Sequence, residues 1–225
     1  RRGKIRMIRK HLVAKHIANK VTYGGRNPVN YIVIHETANT RKGANANAHA
    51  RLQASGNSRS ASWHYQVDDK EIVQSFDDNK QCWHAGNRKY NEQSIGIEIC
   101  VNSDGNFKKA VDNAVELTKR LMRKYNVPAS RVIQHNQASG KDCPRYLRAG
   151  NKGVTWSQFK AKIGDKTSSN TKPTKPNNSA TSAQKTTYKG NSIVEYLNSI
   201  NVNSSFSNRR KLAKQYGIKG YVGTA

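Results

Sequence analysis

Apolar and polar positions along the first 164 residues follow strand and helix periods in turn. Residues 31–34 are an uninterrupted apolar and largely β-branched run, which predicts a buried strand. Residues 94–101 alternate apolar side chains with small or polar ones and predict a second strand. Residues 107–125 carry apolar side chains at helical spacing and basic side chains on the other face, which predicts an amphipathic helix.

Shorter elements follow from local signals, and together with the long ones they predict a mixed α/β domain. An Ala-rich segment predicts a helix over 44–53, and an Asp-Asp-Lys turn joins the two strands of a predicted hairpin, 63–67 and 71–76. We also predict a short strand over 131–135 and a closing helix over 156–163.

The segment 165–187 contains no Val, Ile, Leu, Met, Phe, Tyr or Trp. It cannot bury enough apolar surface to offset the entropy of ordering, so we predict a flexible linker. The main domain is then 1–164, and a small module with two short helices occupies 188–225. We expect Met7 to be the native start, with 1–6 an artificial extension, and the module to be truncated, because no closing element follows its second helix.

The charge of the chain is strongly positive, with 40 Lys and Arg against 14 Asp and Glu, or +26. The excess is +9 in residues 1–29, +9 in 30–164 and +8 in 165–225. Such an even spread is more typical of a protein whose whole surface is cationic and binds an anionic polymer than of a dedicated nucleic-acid-binding protein. No apolar run approaches the length of a membrane span, and three cysteines do not form a disulfide scaffold but fit a reducing compartment.

Two histidines and a cysteine are the candidate metal ligands. His35 and His135 each end a predicted strand, and Cys143 follows in a loop. Two imidazoles and one thiolate suit zinc, and three protein ligands leave a fourth position for water, as in catalytic sites. The spacing of these residues along the chain does not show that they lie close together in the fold. A histidine at the end of a strand also commonly has a purely structural role.

Two further groups fit chemistry beside such a metal. Glu98 lies in an otherwise apolar strand, so its carboxylate must be paired or face a cleft, where it would act as a general base. Lys141, two residues before Cys143, would bring a positive charge to a developing oxyanion. The alternative for Lys141 is an exposed loop charge.

Five motifs, in order along the chain, carry a resemblance to a known family: VIHETANT, SWHYQVDD, WHAGN, SIGIEI and QHNQASGKDCP. They resemble the zinc-dependent type-2 N-acetylmuramoyl-L-alanine amidases, which are phage endolysins and bacterial autolysins related to peptidoglycan recognition proteins. The resemblance covers roughly residues 8–163. It implies an α/β fold with a central, mostly β sheet flanked by helices and a zinc site in a surface groove.

The resemblance also implies roles for individual residues. The zinc ligands would be His35, His135 and Cys143, and the catalytic residues would be Glu98 as acid/base and Lys141 at the transition state. His84 and Trp63 would bind substrate, although many relatives carry a tyrosine where this chain has Trp63.

The implied activity is hydrolysis of the amide between N-acetylmuramic acid and L-alanine, which leads to lysis of the cell wall. The implied partners are peptidoglycan and anionic wall polymers, with no nucleic acid and no membrane insertion, and the protein would be a monomer. It would be made in a host cytoplasm and released by a holin, or secreted as an autolysin. The segment from Ser192 onward resembles the start of a cell-wall-binding module.

Three alternatives remain open at this stage. The first is a peptidoglycan-binding protein of the same fold without catalysis, and the second is a thiol hydrolase with Cys143 as nucleophile and His135 as base. The third is a basic nucleic-acid-binding protein, which would explain the charge but not the set of histidines, cysteine and glutamate.

Overall fold

A computed structural model describes residues 7–57, 59–164, 193–199, 206–218 and 220–222. The chain divides into two compact units, residues 1–169 and 170–225. The first unit is built on a six-stranded sheet in the order β1-β5-β4-β7-β3-β8, beside a small two-stranded sheet of β2 and β6. The strands are β1 (Ile8–Lys10), β2 (Thr22–Tyr23), β3 (Tyr31–Glu36), β4 (Tyr65–Val67), β5 (Ile72–Gln74), β6 (Gln81–Cys82), β7 (Ser94–Ile99) and β8 (Val132–Gln134).

Helices lie between and after these strands. In the first unit they are α1 (Lys15–Ala18), α2 (Ala46–Ala54), α3 (Arg88–Gln93), α4 (Phe107–Tyr125), α5 (His135–Ser139), α6 (Arg145–Ala149) and α7 (Trp156–Lys162). In the second unit they are α8 (Ile193–Ser199) and α9 (Phe206–Gln215). Within the part of the chain described, none of these helices is long and apolar enough to cross a membrane.

The centre of the large sheet is parallel, with β3 between β7 and β8 and with β4 on the far side of β7. Within the large sheet, as far as the structure describes the chain, β4 and β5 form the one antiparallel pair, which is the predicted hairpin. Alternate side chains of a strand point to opposite faces. Ile32 and Ile34 of β3 therefore join the main hydrophobic core with Ile95 and Ile97 of β7, while the residues between them face the other way.

Helix α4 covers the core face of the sheet. Its apolar stripe is buried in the same cluster as Ile32 and Ile97, and the Asn106 side chain accepts the N–H of Lys109 to cap its first turn. Asn126 ends the helix in a left-handed conformation. The opposite face of β3 and β7, which α4 does not cover, is the one that carries His35 and Glu98.

The predicted fold class is confirmed, as are the strand near 94–101, the hairpin and the helix 107–125. The strand expected over 131–135 ends at Gln134, because Gln134 and Gln137 form a capping box that starts α5 at His135. The two helices expected in the module are present as α8 and α9. The predicted linker, 165–187, lies outside the described residues.

Candidate metal centre

His35 and Glu98 are brought together by strand pairing. They are register partners on β3 and β7, and both point away from α4. His35 is 1% exposed, and its Nδ1 lies 4.0 Å from Oε1 of Glu98. The parallel sheet therefore holds an imidazole and a carboxylate side by side near the carboxyl ends of two strands.

His135 reaches the same place from the neighbouring strand. It is the first residue of α5, directly after β8, and β8 pairs with β3. The loop that follows is held by Asn136, whose side-chain amide donates to the carbonyls of Gly140 and Lys141 at 3.0 and 2.9 Å. This loop returns the chain to Cys143.

Cys143 completes the set from the side of β3. The backbone N–H of Glu36 donates to its Sγ at 3.4 Å. Burial raises the pKa of the Cys143 thiol to about 12. The thiolate therefore needs a cation close by, and no hydrogen-bonded ammonium or guanidinium group supplies one among the residues described.

The donor atoms of His35, His135 and Cys143 all lie within 4.8 Å of one another. The two Nδ1 atoms are only 2.9 Å apart, a distance that requires a shared proton or a common cation between them. Burial lowers the pKa of both histidines, that of His135 to about 4, so the rings are neutral at physiological pH, as a histidine must be to bind a metal. Two neutral imidazoles and one thiolate fit zinc.

Glu98 has the properties of a general base beside this centre. Its Oε2 is buried and has no hydrogen-bond partner among the described residues. Burial raises the pKa of Glu98 to about 8, against which the positive charge of Lys141 acts. A carboxylate without a structural partner, next to a candidate metal site, is available to exchange protons with a reacting molecule.

A groove of about 430 Å³ opens beside the centre. Its lining includes Trp83, His84, His135 and Lys141. A larger cavity, about 670 Å³, lies next to Tyr65 and is lined by none of the predicted site residues, as far as the described chain shows. The smaller groove is therefore the one that opens onto the candidate metal centre.

The structure places the two predicted substrate-binding residues differently. His84 lines the groove, and its Nδ1 lies 2.9 Å from Nε2 of His35. Trp63 is 8% exposed, and its indole N–H donates to Oε1 of Gln66 at 2.9 Å. Trp63 is not among the described residues that line the groove.

Sequence reasoning missed Glu36, which follows His35 directly. Glu36 is 6% exposed, and its carboxylate accepts the backbone N–H groups of Tyr146 and Leu147 at 2.8 and 2.9 Å. It thereby caps the first turn of α6, immediately after the loop that carries Cys143. The sequence signal that could have found Glu36 is an acidic residue at the end of a strand predicted to be buried.

Comparison with known proteins agrees with this geometry. The sequence model of the Amidase_2 family, described as N-acetylmuramoyl-L-alanine amidase, matches residues 25–146. The chain therefore belongs to this family, as its motifs had suggested. The matched range contains every predicted site residue: Trp63, Glu98 and Lys141, the ligand set and His84.

Individual relatives include two amidases of Bacillus subtilis (strain 168). N-acetylmuramoyl-L-alanine amidase XlyA is 48% identical over 136 residues, which are 60% of this chain and 44% of XlyA. N-acetylmuramoyl-L-alanine amidase CwlA is 34% identical over 194 residues, 78% of this chain and 68% of CwlA. The solved catalytic domain of XlyA is 42% identical with a TM-score of 0.64, and the match covers 70% of this chain and 99% of that domain. The chain thus spans less than half of the full length of XlyA.

Proposed function

We propose that residues 1–164 form a zinc-dependent amidase that hydrolyses the bond between the lactyl group of N-acetylmuramic acid and L-alanine in peptidoglycan. The observation that carries this proposal is the convergence of His35, His135 and Cys143 beside Glu98, whose buried Oε2 has no hydrogen-bond partner in the described part of the chain. Membership of the amidase family and the similarity to the XlyA catalytic domain support the same substrate class.

The ligand set would hold the metal, and the remaining groups would carry out the proton transfers. Zinc supplies Lewis acidity, which polarises an amide carbonyl and lowers the pKa of a water molecule. Glu98 would take a proton from the attacking water and deliver it to the departing amine of alanine. Lys141, on the lining of the groove, would stabilise the negative charge on the carbonyl oxygen. We retain His84 as a groove residue but assign Trp63 no direct contact with substrate.

The alternatives fit the site less well. A thiol hydrolase needs a thiolate at Cys143, whereas burial raises the pKa of this thiol to about 12. A protein that only binds peptidoglycan would not require the unpartnered carboxylate of Glu98. A nucleic-acid-binding role would explain neither the cluster that contains Cys143 nor the carboxylate of Glu98.

Chelation distinguishes the metal mechanism from the thiol mechanism. Purified cell walls would be digested with the full chain, with the release of amino groups as the readout, before and after treatment with 1,10-phenanthroline. We expect chelation to abolish the release and added zinc to restore it. Activity that persists in metal-free protein, or that an alkylating reagent removes while zinc remains bound, would overturn the proposal.

We further propose that the positive charge of the chain, +26, attracts the protein to the anionic polymers of a bacterial wall. The protein would act there as a monomer, after holin-type release or secretion, with residues 188–225 as the start of a wall-binding module. Binding to walls should weaken steeply between about 0.05 M and about 0.5 M salt, because salt screens exposed charges. Equal binding at both salt concentrations would contradict the proposal that charge attracts the protein to the wall.

A further inference from the structure

A chain of buried side chains leads away from the candidate metal centre along the sheet. Nε2 of His35 lies 2.9 Å from Nδ1 of His84, and Nε2 of His84 lies 3.3 Å from Oγ of Ser94. Oγ of Ser94 in turn lies 2.5 Å from the carbonyl oxygen of Tyr90. Ser94 is fully buried, and His84 is 8% exposed.

The donor and acceptor of each hydrogen bond in this series of side chains can be assigned by starting from the carbonyl oxygen of Tyr90. A carbonyl oxygen can only accept, so the single hydroxyl proton of Ser94 is donated to Tyr90. Oγ of Ser94 must then accept, and Nε2 of His84 must donate. A neutral imidazole has one N–H, so Nδ1 of His84 accepts from Nε2 of His35. Nδ1 of His35 is left with a lone pair.

We propose that Ser94 and His84 are positioning residues that fix the tautomer of His35, so that Nδ1 of His35 is presented to the metal as a ligand. This inference rests on the proposed zinc site. It assigns His84 a function besides lining the groove. Partners behind a ligating histidine commonly fix its tautomer and ring orientation in this way.

Gly96 supports the proposal through packing. A Cβ atom built on Gly96 would lie 2.7 Å from Cγ and 2.8 Å from Nδ1 of His84, closer than real contacts allow. The ring of His84 therefore lies against β7 at a position that only glycine leaves open. His64, another buried histidine, differs: its Nδ1 accepts the backbone N–H of Gly96, and its Nε2 lies 2.9 Å from the carbonyl oxygen of Lys80. Backbone groups satisfy His64, whereas a ligand histidine and Ser94 satisfy His84.

The first test measures zinc affinity by competition with a chromophoric chelator. We expect His84→Ala to weaken binding about 10–100-fold, the usual effect of losing a partner behind a metal ligand. His84→Asn places an amide oxygen near the position of Nδ1 and should recover most of the affinity. His49→Ala, which removes a buried histidine outside this chain of hydrogen bonds, is the matched control and should bind zinc normally.

The second test reads the tautomer directly and needs no metal. Nitrogen chemical shifts of histidine rings, in labelled metal-free protein, distinguish a proton on Nε2 from one on Nδ1. We expect His35 and His84 both to carry the proton on Nε2, and Ser94→Ala to produce a mixture at His84. A proton on Nδ1 of His84 in the unaltered protein would overturn the inference even if every variant failed to fold.

The outcomes separate this inference from the proposed function. Unaltered protein that binds zinc while His84→Ala binds it equally well overturns the positioning role and leaves the amidase proposal intact. Unaltered protein that binds no zinc overturns the metal mechanism, and the nitrogen shifts still decide whether the chain of hydrogen bonds sets the tautomer.

Discussion

Replacing Glu98 with glutamine should raise the stability of the metal-free protein at neutral pH and lower the turnover of the zinc-loaded protein. The substitution keeps the shape of the side chain and removes its ability to accept a proton. The side chain of Glu98 lies beside His35 and is 15% exposed, but its Oε2 is buried and has no hydrogen-bond partner within the described ranges. The folded protein therefore gains little from this carboxylate, and the proposed reaction depends on it.

The magnitude follows from the pKa. Burial raises the pKa of Glu98 from 4.5 to about 8, so at pH 7 the folded, metal-free domain holds a proton that the unfolded chain has released. This proton uptake costs the folded state about 1.4 kcal/mol for each pH unit above the unfolded pKa, or about 3 kcal/mol at neutral pH. Glutamine avoids this cost, but its own buried amide costs about 1–2 kcal/mol. We expect a net stabilisation of about 1–2 kcal/mol.

The free energy of unfolding is measured by denaturant titration of the metal-free protein, in the presence of a chelator. Zinc content and turnover are measured on the zinc-bound protein. Near the unfolded pKa the glutamine variant should be the less stable protein, by the amide cost of about 1–2 kcal/mol. Its stability relative to the unaltered protein should then rise by about 1.4 kcal/mol for each pH unit towards the folded pKa. Turnover should fall about 10²–10⁴-fold with zinc retained. Glu116→Gln, on an exposed turn of α4, should change none of these quantities. A Glu98→Gln variant that loses zinc, or that keeps full turnover, would refute the assignment of Glu98 as the base.

Three further predictions concern Cys143, Glu36 and His64. Cys143→Ala should fold but lose zinc, because one of three protein ligands is gone; normal zinc content measured by elemental analysis would count against the ligand set. Glu36→Ala should lower the free energy of unfolding by about 1–3 kcal/mol, since the buried N–H of Leu147 and the partly buried N–H of Tyr146 lose their acceptor, and a thermal midpoint equal to that of the unaltered protein would contradict this. Burial lowers the pKa of His64 from 6.5 to about 4, so the contribution of His64 to metal-free stability should decline as the pH falls through this window, opposite in sign to that of Glu98. A His64→Gln variant whose free energy of unfolding has the same pH dependence as that of the unaltered protein would be the contrary result.

The long elements could be predicted from the sequence because their signals are local. The helix predicted over 107–125 has these bounds in the structure, since an apolar stripe, an asparagine cap and a left-handed Asn126 all act within the segment. Strands β2 and β6 have only two residues each and carry no periodic pattern, so they were not predicted. Their pairing depends on contacts between residues about 60 positions apart.

The candidate site could be predicted in chemical type but not in arrangement. Histidine, cysteine and glutamate indicated a metal hydrolase, and the family resemblance placed them together. Glu36 was missed because its partners, Tyr146 and Leu147, lie 110 and 111 residues further along the chain. The link from His35 to Ser94 was missed for the same reason, since only the folded sheet brings these side chains to His84.

Mass spectrometry of peptidoglycan digested by the full chain tests the proposed function most directly. We expect stem peptides that begin with a free L-alanine amine, together with glycan strands whose N-acetylmuramic acid keeps a free lactyl carboxylate. Both products define cleavage of the amide between sugar and peptide. New reducing sugar ends, or peptides cut between two amino acids, would contradict the assignment of this chain as an amidase.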